Sequence, residues 1–265
     1  MPGAYDRSRK AAVVRQISAN FDSAISDFFG TRAPNREAAQ GAHDAYVAAL
    51  RAHGTDVTVL PGLDEHPDCC FVEDTAVMVD GKAIIPNMGH PSREGEQVAV
   101  AEHLSSSAEI INMPKGAKLD GGDVVFFDDR YLIGVSTRTN REGADFLASH
   151  VREDGFECEF INIPSSTLHL TTVCSSPRPG MIIAAEGHLT ASQLEPLAED
   201  VVWVPNRESY AANTIGYKGD RAIIADGFPV VRQTMLDEGF KITSVDMKEI
   251  MQADGSLTCL SVFNA

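Results

Sequence analysis

Five short segments hold side chains that could do chemistry together: HPDCCFVED (66–74), KLDGGD (118–123), STLHL (166–170), SYAAN (209–213) and DGSLTC (254–259). Cys259 offers a thiolate nucleophile and His169 an imidazole that can shuttle protons, the two parts that nucleophilic catalysis needs. Asp120, in an Asp-Gly-Gly turn, offers a carboxylate that would fix the tautomer of such a histidine. Asp68, Glu73 and Asp74 form a compact acidic group whose charges repel one another unless a cation lies among them. A planar guanidinium, which takes paired contacts from carboxylates, is one such cation. A metal ion is another, but HExxH, Cys-His zinc spacing and EF-hand spacing are all missing from the sequence. Arg93, in PSREGE (91–96), and Arg138, in STRTN (136–140), each follow a hydroxyl residue. Such arginines could clamp a carboxylate.

Taken singly, each of these residues has an ordinary reading. A free cysteine is often a small core residue, a lone histidine is often structural, and acidic loops and arginines are often solvated surface. Their shared place in a repeat favours chemistry. A strand–turn–strand, helix, strand unit recurs along the chain. TAVMVDGKAIIP (75–86) is two β-rich runs around an Asp-Gly turn. Ser92 is expected to cap the helix that follows, through Leu104, before the strand AEIINM (108–113). VVFFDDRYLIGV (124–135), a helix capped at Asn140 and ECEFINI (157–163) form the next copy. TTVCSSPRPGMIIAAEG (171–187) leads to a capping box of Thr190 and Gln193 and then VVWVP (201–205). NTIGYKGDRAIIAD (213–226) leads to a helix entered at Pro229 and stopped near Gly239, then KITSVD (241–246). The fifth copy is split between the chain ends: CLSVF (259–263) and AAVVRQ (11–16) supply its strands, followed by the helix 34–54 and DVTVLP (56–61).

Equivalent points fall near Asp74, Asp123, Thr171, Asn213 and Cys259, at steps of 49, 48, 42 and 46 residues. A period in the forties implies stacked or radial units. A closed ring of five α/β modules satisfies both the count and the split fifth unit, and closing it leaves no open sheet edge. The fold class expected is therefore α/β, a fivefold pseudosymmetric propeller of ββαβ modules, as one domain over 1–265. In such a ring the five chemistry-bearing segments face one axis and meet.

Composition narrows the partners. The chain has 265 residues and a net charge of −16, with no basic run. A phosphate backbone needs clustered Lys and Arg, so nucleic acid is not expected. No apolar run approaches the roughly 18 residues of a membrane helix. The N-terminus lacks the apolar region of a secretory leader, so a cytoplasmic protein is expected. The five cysteines are scattered without CxxC and do not read as a disulfide framework. GxGxxG, Walker A and GxSxG motifs are also missing. No cofactor or metal is expected, and the partner is a small molecule. A homodimer is compatible with the sequence.

FVED (71–74), LDGGD (119–123), RTNREGA (138–144), LHL (168–170), SYAAN (209–213) and DGSLTC (254–259) resemble, in order and over nearly the whole chain, the dimethylarginine dimethylaminohydrolases, guanidino-modifying enzymes of the pentein superfamily. The PD-x-x-FVED form (67–74) and the length favour that branch over the longer arginine deiminases. The resemblance implies a fivefold α/β propeller, with Cys259 as nucleophile, His169 as general acid and base, and Asp120 in the orienting position. It implies that Asp74 binds a guanidinium with Glu73 supporting it, and that Asp68, Arg93 and Arg138 hold the amino-acid end. Ala253 would meet the substrate through its backbone, and Ile25 would match an aliphatic lid residue. The implied reaction is hydrolysis of an Nω-methylated arginine to citrulline and an alkylamine through a thiouronium on Cys259. An arginine deiminase-type hydrolase of arginine or another guanidino compound, or a non-catalytic binding protein on the same fold, are the alternatives. PNMGHPSR (86–93) departs from the family pattern in carrying Asn87 where an arginine is familiar, and Thr214 and Gly216 stand where bulkier residues are.

Overall fold

The computed structural model describes residues 7–265. Residues 1–6, the beginning of the expected 1–265 domain and of the segment read as lacking a leader, lie outside the described residues.

The elements run β1 (Ala11–Arg15), α1 (Arg36–Ala52), β2 (Asp56–Leu60), β3 (Val77–Val79), β4 (Lys82–Ile85), α2 (Gln97–Leu104), β5 (Glu109–Asn112), β6 (Val124–Phe127), β7 (Arg130–Val135), α3 (Arg141–Glu153) and β8 (Glu157–Asn162). They continue with α4 (Leu170–Val173), β9 (Cys174–Ser175), β10 (Met181–Ala185), α5 (Ala191–Leu194), β11 (Asp200–Val204), β12 (Ile215–Tyr217), β13 (Arg221–Ala225), α6 (Pro229–Asp237), β14 (Lys241–Val245), α7 (Lys248–Met251) and β15 (Val262–Phe263). The strands form five three-stranded sheets of one design, ordered β15-β1-β2, β3-β4-β5, β6-β7-β8, β9-β10-β11 and β12-β13-β14. In each, the middle strand pairs antiparallel with the inner one and parallel with the outer one. The five ββαβ blades of the pentein propeller are thus present, and the two chain ends close the ring within one blade.

The burial follows the blade. Inner and middle strands such as VMV (77–79), VVFF (124–127) and MIIAA (181–185) are buried along their whole length. Strands covered on both faces read as continuous apolar runs for this reason. Outer strands such as ECEFIN (157–162) alternate, with one face toward their helix. The β3–β4 hairpin turns on Asp80 (φ +36°) and Gly81 (φ +83°), both in the left-handed region that a two-residue primed turn demands. Asn35 and Asn140 accept from Ala38 N and Gly143 N and start α1 and α3. Thr190 and Gln193 form the expected capping box on α5.

Three local expectations fail. Ser92 does not cap α2: His90 accepts from Ser92 N to start a short 3₁₀ turn at Pro91–Arg93, and α2 begins at Gln97. Glu94 is extended and Gly95 has φ +109°, which breaks the helix before it forms. In CLSVF only Val262–Phe263 is strand, because Thr258–Leu260 makes a 3₁₀ turn at the mouth of the blade. In TTVCSS only Cys174–Ser175 is strand, and Leu170–Val173 is one helical turn. Both changes place a chemistry-bearing residue on a turn at the ring axis.

Candidate active site

The five turns leading into the inner strands converge at the axis. One cavity there is lined by Ile25, Asp68, Phe71, Asp74, Arg93, Arg138, Leu168, His169, Ala253, Asp254, Gly255 and Cys259. Eight of the ten residues singled out in the sequence are among them. Of the other two, Asp120 lies directly behind His169, and Glu73 turns its side chain to the opposite side of the ring, where it lines a separate cavity.

His169 is buried, and its Nε2 lies 3.1 Å from Asp120 Oδ2. Among the described residues its Nδ1 has no hydrogen-bond partner, and it lies 3.8 Å from Asp74 Oδ1, so the ring is anchored at one nitrogen and free at the other. Burial works against the imidazolium, but the charge of Asp74 and the Asp120 hydrogen bond outweigh it and raise the His169 pKa to about 9. Asp120 is itself opposed by burial, yet the His169 hydrogen bond and nearby positive charge hold it below the usual carboxylate range. It also accepts from Gly89 N at 2.7 Å. Burial, and after it the charges of Glu73 and Asp74, push the Cys259 thiol well up. The resting cysteine is therefore a thiol, and a cation placed beside these carboxylates favours its ionisation.

Alternating charges run through the site. Glu96 Oε2 accepts from both Arg93 Nε (3.1 Å) and Arg93 Nη2 (2.8 Å), Arg93 Nη1 donates to Asp74 Oδ2, and Arg138 Nη1 lies 3.8 Å from Asp120 Oδ2. Asp74, Asp120 and His169 bring ligand-type atoms within 4.8 Å of one another, and Arg93 and Arg138 supply positive charge to that group. Arg93 is 3% exposed and carries three protein acceptors. Arg138 reaches the cavity with no hydrogen bond from its guanidinium among the described residues, which leaves it the freer of the two for a ligand. Replacing Glu96 with Ala leaves a buried guanidinium short of a partner. The expected loss is about 3–5 kcal/mol of unfolding free energy in a denaturant titration.

Residues to which the sequence reading gave no role in the site hold this geometry. Asp123 accepts from Ser136 Oγ (2.6 Å), Thr139 Oγ1 (2.6 Å) and Leu170 N (3.1 Å), which fixes the backbone next to His169. Asn213 donates to Thr171 O (2.7 Å) and accepts from Thr258 N (3.1 Å), tying the histidine and cysteine segments together. Asp254, with φ +58°, accepts the N–H groups of Asp27, Phe28, Phe29 and Gly30. Asp68 accepts from Ile25 N at 3.1 Å. The loop that carries Ile25 is thereby pinned over the cavity from two sides. Asn87 is taken up structurally, since its amide donates to Pro114 O and Ala117 O rather than lining the cavity.

Gly122 tests this packing. A Cβ there would lie 2.6 Å from His169 Nδ1 and 2.8 Å from Asp74 Oδ1. His169 cannot yield without leaving Asp120, so Gly122→Ala is expected to lower kcat/KM by about 100-fold or more. The unfolding midpoint measured alongside separates misplacement from collapse of the fold.

Five blades with a cysteine, a histidine and buried carboxylates at their axis are the design of the pentein enzymes that hydrolyse amidines. The comparisons agree. The family described as N,N dimethylarginine dimethylhydrolase, eukaryotic, matches residues 14–263. The chain is 30% identical over 224 residues to the N(G),N(G)-dimethylarginine dimethylaminohydrolase of Pseudomonas aeruginosa, covering 83% of this chain and 86% of that one. It is 31% identical over 220 residues to the Streptomyces coelicolor protein of the same name, covering 83% of each. A solved structure of a cysteine-to-serine variant of the Pseudomonas aeruginosa enzyme with citrulline superposes with a TM-score of 0.89 at 27% identity, over 96% of this chain and 98% of that one. The chain belongs to the dimethylarginine dimethylaminohydrolase family, and it is an amidine-hydrolysing enzyme. Among the described residues no helix is long and apolar enough to cross a membrane.

Proposed function

We propose that the protein hydrolyses Nω-methylated L-arginine to L-citrulline and di- or monomethylamine. The observation that carries this reading is one cavity holding a thiol, a histidine with a free buried nitrogen, and buried Asp74, with Asp68, Arg93 and Arg138 also on its wall. The guanidinium of the substrate would meet Asp74, and its α-carboxylate and α-amino groups would meet Arg138 with Arg93 and Asp68. The arriving cation offsets the negative field around Cys259, and the thiol loses its proton to solvent. The thiolate attacks the guanidino carbon. His169, a cation in the resting enzyme, protonates the departing amine from Nδ1, while Asp120 holds the ring at Nε2. The neutral imidazole then takes a proton from water, which attacks the thiouronium and frees Cys259. The steps use side chains of the cavity wall, with Asp120 behind His169.

Ile25 and Ala253 would close the apolar side of the pocket against the methyl groups. Product analysis tests the reading. Asymmetric dimethylarginine and arginine are incubated separately with the enzyme, and citrulline, dimethylamine and ammonia are measured. Citrulline with dimethylamine from the first substrate supports the proposal. Citrulline with ammonia from arginine alone would make the protein a deiminase, and arginine binding without turnover of either would make it a binding protein.

A further inference from the structure

The ring axis carries a second cavity, on the side away from Cys259. It measures about 100 Å³ against about 20 Å³ for the catalytic one. Every blade contributes its inner strand to the wall: Met78 of β3, Phe126 of β6, Cys174 of β9, Ile215 of β12 and Val262 of β15. The partition between the two cavities is one residue thick. Asp74, His169 and Cys259 face the catalytic side, and Glu73, Thr171 and Thr258, their near neighbours in sequence, face the other.

Each end of this chamber bears an ionisable group without an ionic partner among the described residues. At the floor, Glu73 Oε2 accepts from Thr171 Oγ1 (3.3 Å) and Thr258 Oγ1 (2.9 Å), and among the described residues no lysine or arginine pairs with it. Burial and the charge of Asp74 raise its pKa to about 8. A carboxyl so placed gains a partner when a cation reaches it. At the far end of β15 from Thr258, Arg9 lies with its guanidinium 4.5 Å over the Phe263 ring and donates from Nε to Gly216 O at 2.8 Å. Among the described residues no carboxylate lies within ion-pairing distance of it, and the charge of Glu73 acts on it from across the chamber. Arg7 lines the same end and donates to Ser176 Oγ at 2.7 Å.

An acidic floor, walls of mixed apolar and hydroxyl side chains and a basic mouth complement a particular kind of molecule. We propose that the second cavity binds a small aliphatic ω-amino or ω-guanidino carboxylic acid, with its cation on Glu73 and its carboxylate on Arg9. A ligand with one charged end would leave either the floor or the mouth unpaired. This site is separate from the one that performs the chemistry, and a bound ligand would touch the segments of Glu73, Thr171 and Thr258, adjacent to Asp74, His169 and Cys259.

The test is calorimetric titration of ε-aminocaproate into the full-length protein and into Glu73→Gln, Arg9→Met and Arg138→Ala. One binding site is expected in the parent and, within about twofold, in Arg138→Ala. Binding should be at least about tenfold weaker in Glu73→Gln and in Arg9→Met, the loss of one charge-assisted contact. Hexanoate and hexylamine should likewise bind at least about tenfold more weakly than ε-aminocaproate. Arg9→Met, at the cavity mouth, decides the matter if Glu73→Gln does not fold. Loss of binding in Arg138→Ala alone would place the ligand in the catalytic cavity and overturn the proposal. Hexanoate binding as tightly as ε-aminocaproate, or no binding at all, would overturn it as well.

Discussion

Cys259→Ser is expected to lower kcat for asymmetric dimethylarginine by about four orders of magnitude or more, with KM changed far less. Loss of a nucleophile that forms a covalent intermediate has effects of this size. The contrast with KM follows from where the residue sits. Asp68, Asp74, Arg93 and Arg138 would hold the substrate, and they are untouched by the change. Cys259 is 5% exposed and lies 3.5 Å from Ser256 Oγ, so a hydroxyl fits the same space. Steady-state rates and substrate affinity, measured separately on the variant, check both halves. A variant that retained a tenth of the activity would mean that water attacks directly and that the thiol is a core residue.

His169→Asn is expected to cost about 10²–10⁴ in kcat. The amine leaving group is strongly basic and cannot depart without a proton, and the other buried donor beside Asp74, the Arg93 guanidinium, does not give up a proton in this pH range. The pH profile carries a second signature. The folded pKa of His169 is raised to about 9, above the ordinary histidine value near 6.5. The acid form is therefore populated through neutral pH and lost above about pH 9, so kcat should fall on that alkaline limb. The same shift stabilises the fold fully below about pH 6.5 and ceases to do so as pH rises through about 9. In His169→Asn both the alkaline fall in rate and the matching fall in stability should vanish. A rate profile that kept its alkaline limb would assign that limb to another group.

Much of this was legible in the sequence because a repeat converts linear spacing into angular position. Once Asp74, Asp123, Thr171, Asn213 and Cys259 are seen at one phase, their meeting at an axis follows, as does closure of the ring by β15 and β1. The caps at Asn140 and Thr190 were legible because capping is local chemistry. Ser92 misled because the same residue type starts many helices, and only the extended Glu94 and the left-handed Gly95 reveal the break. Glu73 misled for a different reason. It adjoins Asp74, but in a 3₁₀ turn neighbouring side chains point apart, and the two carboxylates serve opposite sides of the ring. The holding roles of Glu96, Asp123, Asn213 and Asp254 were illegible because these residues satisfy loops brought close only by the tertiary fold. Glu96 alone left a trace, standing three residues after Arg93 in SREGE, where an ion pair within one turn is expected.

The central claim is that a thiouronium forms on Cys259. Rapid mixing with asymmetric dimethylarginine, acid quench within the first turnovers and mass spectrometry of the intact chain and its peptides test it most directly. The expected result is a transient gain equal to the substrate less dimethylamine, confined to the peptide that contains Cys259 and missing from Cys259→Ser. Turnover to citrulline with no adduct at any time, or an adduct on another cysteine, would contradict the account.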